Sequence, residues 1–155
     1  MSAPTPAIIT PAELERTVRS FAPRTDLWRP QVRFTRPDRW YRRLERNADF
    51  EVWLLTWLPG QGTEIHDHGG SSGAFGVVQG TLTERVFPPA GPVVRQVDVG
   101  GVRPFGPHYV HEVTNGDGGP AVSIHAYAPA LTTQSYYRLD ADGGLVLSRM
   151  EPVTA

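Results

Sequence analysis

GQGTEIHDHGGSSGAFGVVQG, residues 60–80, sets two histidines two positions apart inside a frame of glycines. On an extended strand residues two apart face the same side, so His66 and His68 can offer both imidazoles to one ion. An isolated H-x-H pair is more often an exposed turn, and the surroundings have to change those odds. Gly60 stands six residues before His66, and Gly80 stands twelve after His68.

Outward from this stretch the pattern has a period of two. Upstream, WYRRLER (40–46) and FEVWLLTWL (50–58) flank the turn residues Asn47, Ala48 and Asp49 and predict a hairpin. In its second strand Phe50, Val52, Leu54, Thr56 and Leu58 share one face. Glu51, Trp53, Leu55 and Trp57 share the other, so both faces are expected to be at least partly covered. Further strands are expected in GAFGVVQG, TLTERVF, VVRQVDV, YVHEVTN, AVSIHAYA, SYYRLD and LVLSRM. The turn-forming stretches HGGSSG, PPAGP, NGDGGP and DADGG separate them. About ten short strands predict an all-β architecture, closed or double-sheeted. One helix is expected over residues 10–22, behind a loose tail at 1–9. Thr10 can cap it, Pro11 fits its first turn and Glu13 completes a capping box. Leu14, Val18 and Phe21 give it one apolar face. Residues 22–38 hold three prolines and read as a connector.

Composition sets outer bounds. At 155 residues the chain is expected to form one domain, with a barrel over 40–150. A net charge of −1 gives no reason to expect nucleic acid or an anionic membrane as partner. There is no cysteine, which excludes disulfides, thiolate ligands and a cysteine nucleophile, and fits a reducing cytoplasm. The N-terminus has no basic, apolar leader pattern and no apolar run approaches a membrane span, so a cytoplasmic location is expected. No protein partner can be inferred.

His111 and Asn115 in HEVTN supply a third histidine with an asparagine four residues on. Together with the glycine-framed H-x-H pair, this resembles the two signatures of the cupins. The resemblance implies a double-stranded β-barrel (jelly-roll) with a short N-terminal helix, and a metal held by His66, His68 and His111. The approach to His111 departs from the pattern: Pro104-x-Gly106 is present, but the gap to His111 is two residues longer. His108 therefore stays open as the third ligand, with His111 preferred for its paired asparagine. Where most metal-binding cupins place a glutamate five residues after the pair, this chain has Gly73. Three neutral nitrogens would hold Mg²⁺ or Ca²⁺ poorly and suit Fe(II) with open positions, with zinc as the competitor.

From about Trp40 to Pro129 the chain resembles more narrowly the bacterial cysteine dioxygenases of the thiol dioxygenase family. IHDHGGSSGAFGVVQGTLTE, VHEVTN and AVSIHAYAP carry the likeness. The family's Ser-x-His-x-Tyr element is whole as Ser123, His125 and Tyr127. Alternation puts the three on one face, and the resemblance implies a relay that orients the Tyr127 hydroxyl near bound thiol and oxygen. It further implies that Arg43, with Tyr41 beside it, grips the substrate carboxylate, and that Trp57 lines the pocket. Ordinary charged-strand and core-packing roles are the alternatives for these residues. In animal members a cysteine at the position of Gly73 is cross-linked to the tyrosine matching Tyr127, a link that Gly73 forbids here. The implied activity is addition of dioxygen to the sulfur of L-cysteine, with Fe(II) as cofactor and a small thiol and dioxygen as partners. 3-Mercaptopropionate or another small thiol, a non-catalytic metal- or ligand-binding cupin, and a zinc isomerase or hydrolase are the competing readings.

Overall fold

Period-two patterning becomes eleven strands among the described residues, 8–116 and 118–153 of the computed structural model. In chain order they are β1 (Tyr41–Arg46), β2 (Glu51–Trp57), β3 (Ile65–His66), β4 (Ser72–Gln79), β5 (Leu82–Val86), β6 (Val93–Val97), β7 (Val102–Phe105), β8 (His111–Thr114), β9 (Ala121–Ala128), β10 (Thr133–Leu139) and β11 (Leu145–Pro152). They form two antiparallel sheets, ordered β1-β2-β9-β4-β7 and β11-β10-β3-β8-β5-β6. The mostly-β double sheet with its short helix is the architecture expected from the alternation. Of the expected tail, only residues 8 and 9 lie inside the described residues.

Helix α1 (Pro11–Phe21) starts as its sequence dictates. Thr10 accepts the Glu13 amide at 3.2 Å, and proline occupies the first turn, where no amide donor is needed. Leu14, Val18 and Phe21 are buried against the outer face of the first sheet, over Val52, Leu54, Ala74, Val122, Ile124 and Ala126. Gly76 is required at this contact: a Cβ there would stand 2.8 Å from Val18 Cγ1. A second core fills the space between the sheets and contains Trp53, Trp57, Phe75, Leu82, Phe105, Val113 and Tyr127. Strand β9 serves both, and all eight of its residues are buried. Its even-numbered side chains meet the helix, while Ser123, His125 and Tyr127 face the barrel interior.

Two elements differ from expectation. The connector after α1 contains a short helix, α2 (Thr25–Trp28), followed by a 3-10 turn (Arg29–Gln31). Trp28 pins it, buried and donating its indole N–H to the Ala22 carbonyl at 3.0 Å. Strand β7 is hidden in the sequence because Pro104 cannot donate to a ladder. It is accommodated since β7 is the edge strand of its sheet, with Pro104 opposite Ala74 of β4. No helix is long and apolar enough to cross a membrane among the described residues.

Candidate metal centre

Strand β3 is only two residues long, yet it lies between β10 and β8 and sets His66 directly opposite His111. His68 follows after one residue. The three rings approach with centroids 4.8–5.0 Å apart, and one nitrogen from each lies within 4.8 Å of the others. Asp67, between the pair, faces the other way and braces this turn. Its carboxylate accepts the amides of Ser135 and Gly69, each at 3.0 Å, and the Tyr137 hydroxyl at 2.8 Å. His108 is exposed in the turn before β8 and stands outside the group, whereas His111 stands within it.

All three imidazoles are buried, and burial drives the basicity of His66 and His68 down. His66 is pushed down to about 3, by desolvation first and by neighbouring His111 second. His68 falls well below the ordinary histidine value for the same reason, with His66 and His111 adding to it. Neutral rings with free lone pairs are the form that binds metal. His66 Nδ1 donates to the Glu64 carbonyl at 2.8 Å, and His111 Nδ1 lies 2.8 Å from a Glu84 oxygen, so both Nε2 atoms remain free. Among the described residues neither ring nitrogen of His68 has a partner of acceptable hydrogen-bond geometry, although the Tyr109 backbone lies close enough to be felt. A buried imidazole left unpaired costs free energy in a protein without a ligand, and a divalent ion on these nitrogens removes that cost. The donor set fits such an ion.

Beside the histidines runs a buried polar chain whose direction can be derived. The Trp57 indole is a donor only, and it donates to Ser123 Oγ at 2.8 Å. Ser123 therefore turns its own proton to His125 Nε2, 2.7 Å away, since no other acceptor for it is present among the described residues. His125 is kept uncharged, chiefly by complete burial and then by His111 and Arg39, so its one proton sits on Nδ1. That proton goes to the Tyr127 oxygen, 3.2 Å away. Tyr127 is left free to donate its own. Burial raises the Tyr127 pKa, so the hydroxyl stays protonated at neutral pH. Its ring stacks on His68 with centroids 5.3 Å apart.

His66, His111, His125 and Tyr127 line a cavity of about 470 Å³, together with Trp57, Tyr41 and Arg39. Arg43 does not line it. Pairing with Trp53 puts Arg43 on the expected face of β1, but its guanidinium rests against the Trp53 ring and 3.9 Å from the buried Glu51. Arg39, just before β1, is the arginine that lines the cavity. Its guanidinium lies over the Trp57 ring at 4.6 Å and forms neither an ion pair nor a hydrogen bond among the described residues. Burial lowers its pKa, and the surrounding tyrosines oppose that shift. No periodic signal marks Arg39 in PDRWY. Glu84 is the second residue missed, and it did leave a signal: in LTERV it is the acid on a face otherwise carrying Leu82 and Val86. It accepts from His111, Tyr109 and Arg103. Burial alone would raise its pKa, but the hydrogen bonds from His111 and Tyr109 and the charge of Arg103 outweigh burial and lower it.

Comparison with known proteins points to one family and one fold. Human cysteine dioxygenase type 1 is 31% identical over 101 residues, covering 56% of this chain and 48% of the human protein. The chain thus spans about half the length of the curated relatives it matches. Among solved structures, the TT1209 protein of Thermus thermophilus superposes with a TM-score of 0.59 at 22% identity, covering 66% of this chain and 93% of that one. A Klebsiella pneumoniae protein with a double-stranded beta-helix domain gives 0.58 at 18% identity, covering 78% and 93%. These two likenesses concern the fold, the cupin barrel. The family description "Cysteine dioxygenase type I" matches residues 7–139, most of the chain and all three clustered histidines. The chain belongs to the cysteine dioxygenase type I family.

Proposed function

We propose that this protein is a non-haem iron(II) dioxygenase that converts L-cysteine and dioxygen to cysteine sulfinic acid, acting in cysteine catabolism in the cytoplasm. The observation that carries the reading is the convergence of three buried histidines beside a polar chain that ends in a hydroxyl free to donate. The reaction balances without a reductant: the thiol sulfur is oxidised, both oxygen atoms pass to it, and the thiol proton is carried by the sulfinic acid.

His66, His68 and His111 would hold the ion. Bound iron(II) would supply the acidity that makes the thiol a thiolate and the redox chemistry that lets triplet dioxygen react. The remaining roles belong to side chains. Arg39 would take the substrate carboxylate, since a planar guanidinium offers two parallel donors and this one has no ion pair or hydrogen bond among the described residues. Tyr41 flanks it. Tyr127 would hold a proton at its hydroxyl and present it to an oxygen acceptor, held in that direction by Trp57, Ser123 and His125. The aromatic walls exclude water from the reacting atoms.

Anaerobic loading with iron(II), followed by oxygen uptake and product mass with a panel of thiols, tests the reading. Stoichiometric oxygen uptake with cysteine and a product heavier by two oxygen atoms are expected. Uptake only with 3-mercaptopropionate would move the substrate and keep the reaction. Iron binding with no uptake for any thiol would overturn the dioxygenase reading.

A further inference from the structure

Glu84 is fully buried in the middle of β5, and all its partners are donors. Oε2 accepts from the Tyr109 hydroxyl at 2.7 Å and faces His111 Nδ1 at 2.8 Å, while Oε1 accepts from Arg103 Nε at 3.2 Å. The strand register makes this meeting obligatory. His111 lies opposite Val86 and Glu84 lies opposite Val113, so Glu84 and His111 are diagonal neighbours on one face of adjacent strands. The three histidines are not equivalent as a result. Among the described residues His66 donates to a backbone carbonyl, His68 has no partner of acceptable geometry, and His111 alone of the three is backed by a carboxylate.

We infer that Glu84 is a positioning residue for the metal centre, one that locks His111 in the Nδ1–H form with Nε2 toward the ion and makes it the strongest donor of the three. This rests on the metal-binding part of the proposed function but not on the dioxygenase chemistry. A carboxylate accepting the distal N–H of a ligating imidazole raises its basicity and fixes its orientation, and losing such a partner typically weakens metal binding about 10–100-fold. The effect matters more here than in a site with a carboxylate ligand. Three neutral nitrogens leave a divalent ion's charge uncompensated in a buried cluster, and Glu84 is the anion that contacts one of its ligands.

Cobalt(II) serves as the probe, since its visible spectrum reports ligand field without turnover. Glu84→Gln keeps the shape and an acceptor oxygen but removes the charge, and should bind cobalt(II) about 10–100-fold more weakly with shifted visible bands. Tyr109→Phe leaves both the charge and the His111 contact, and should change affinity by no more than about threefold. In wild-type protein labelled with nitrogen-15, His111 should show a protonated Nδ1 that exchanges slowly with water. That measurement needs no variant, so it decides the matter even if Glu84→Gln fails to fold. A protonated Nε2 on His111, or wild-type affinity and spectrum in a folded Glu84→Gln, would overturn the inference. A protein that shows the expected cobalt and nitrogen signatures but oxidises no thiol would overturn the dioxygenase reading and leave the role of Glu84 standing.

Discussion

The proposed chemistry rests most directly on the side chains of Tyr127 and Arg39. Tyr127 is held by its ring on His68 and by the proton that His125 donates to its oxygen. Removing the hydroxyl keeps the packing and loses the donor. Tyr127→Phe should therefore bind iron as the wild type does and lower kcat by about 10²-fold or more, as read by single-turnover kinetics. An unchanged kcat would take Tyr127 out of the mechanism. For the carboxylate, depth in the cavity separates two arginines that sequence alone could not. Losing one partner of a buried charge pair costs about 2–5 kcal/mol, so Arg39→Ala should lower kcat/KM for cysteine by roughly thirtyfold to a few thousandfold. Arg43→Ala, whose guanidinium already answers Glu51, should stay within about threefold of wild type in the same assay. Cysteamine, which has no carboxylate, should be indifferent to Arg39→Ala. The reverse ranking of the two variants would restore Arg43.

At the scale of elements, β4 and β7 explain why the missing fourth ligand is not simply an empty position. Gly73 of β4 pairs with Phe105 of β7 on one side and Tyr127 of β9 on the other. A Cβ at position 73 would meet the Phe105 ring at 2.5 Å and Tyr127 Cδ1 at 2.9 Å. The Phe105 ring cannot swing away freely, being stacked between His68 at 4.6 Å and Tyr109 at 4.7 Å. Aromatic packing thus occupies the space a side chain at 73 needs. Gly73→Cys should destabilise the protein by about 1–3 kcal/mol through overpacking and loosen metal binding by pressing Phe105 onto His68. Adding Phe105→Leu to it should recover part of both losses. Urea unfolding and cobalt titration of the single and double variants check this. A single variant as stable as wild type would show that the Phe105 ring yields.

On the scale of the whole molecule, the site depends on a layer that never touches it. Helix α1 covers the outer face of the sheet whose inner face carries Trp57, Ser123, His125 and Tyr127. Because β9 is buried on both faces, the outer packing helps hold closed the sheet that carries the polar chain inside. Leu14 is wholly buried beneath the helix. Leu14→Ala should cost about 2–5 kcal/mol in urea unfolding while kcat at low temperature stays near wild type, since no site residue moves until the sheet opens. A loss of kcat without a loss of stability would mean that the helix tunes the site directly.

Strand parity, the helix cap and the turn stretches were legible in the amino-acid sequence because each depends on neighbours a few residues away. Alternation placed Ser123, His125 and Tyr127 on one face, and two-residue spacing made His66 and His68 available to one ion. Capping chemistry at Thr10, Pro11 and Glu13 started the helix where it is found. Only the tertiary structure decided which histidine completes the cluster, which arginine enters the cavity, that β7 exists around Pro104, and that Glu84 stands behind His111. Periodicity specifies the side of a sheet but not the distance to a residue far along the chain. That distance is set by how Trp53 and Trp57 fill the barrel, by the crossing of β3 between β10 and β8, and by the register of β5 on β8. These are packing outcomes of the whole chain, to which no local window has access.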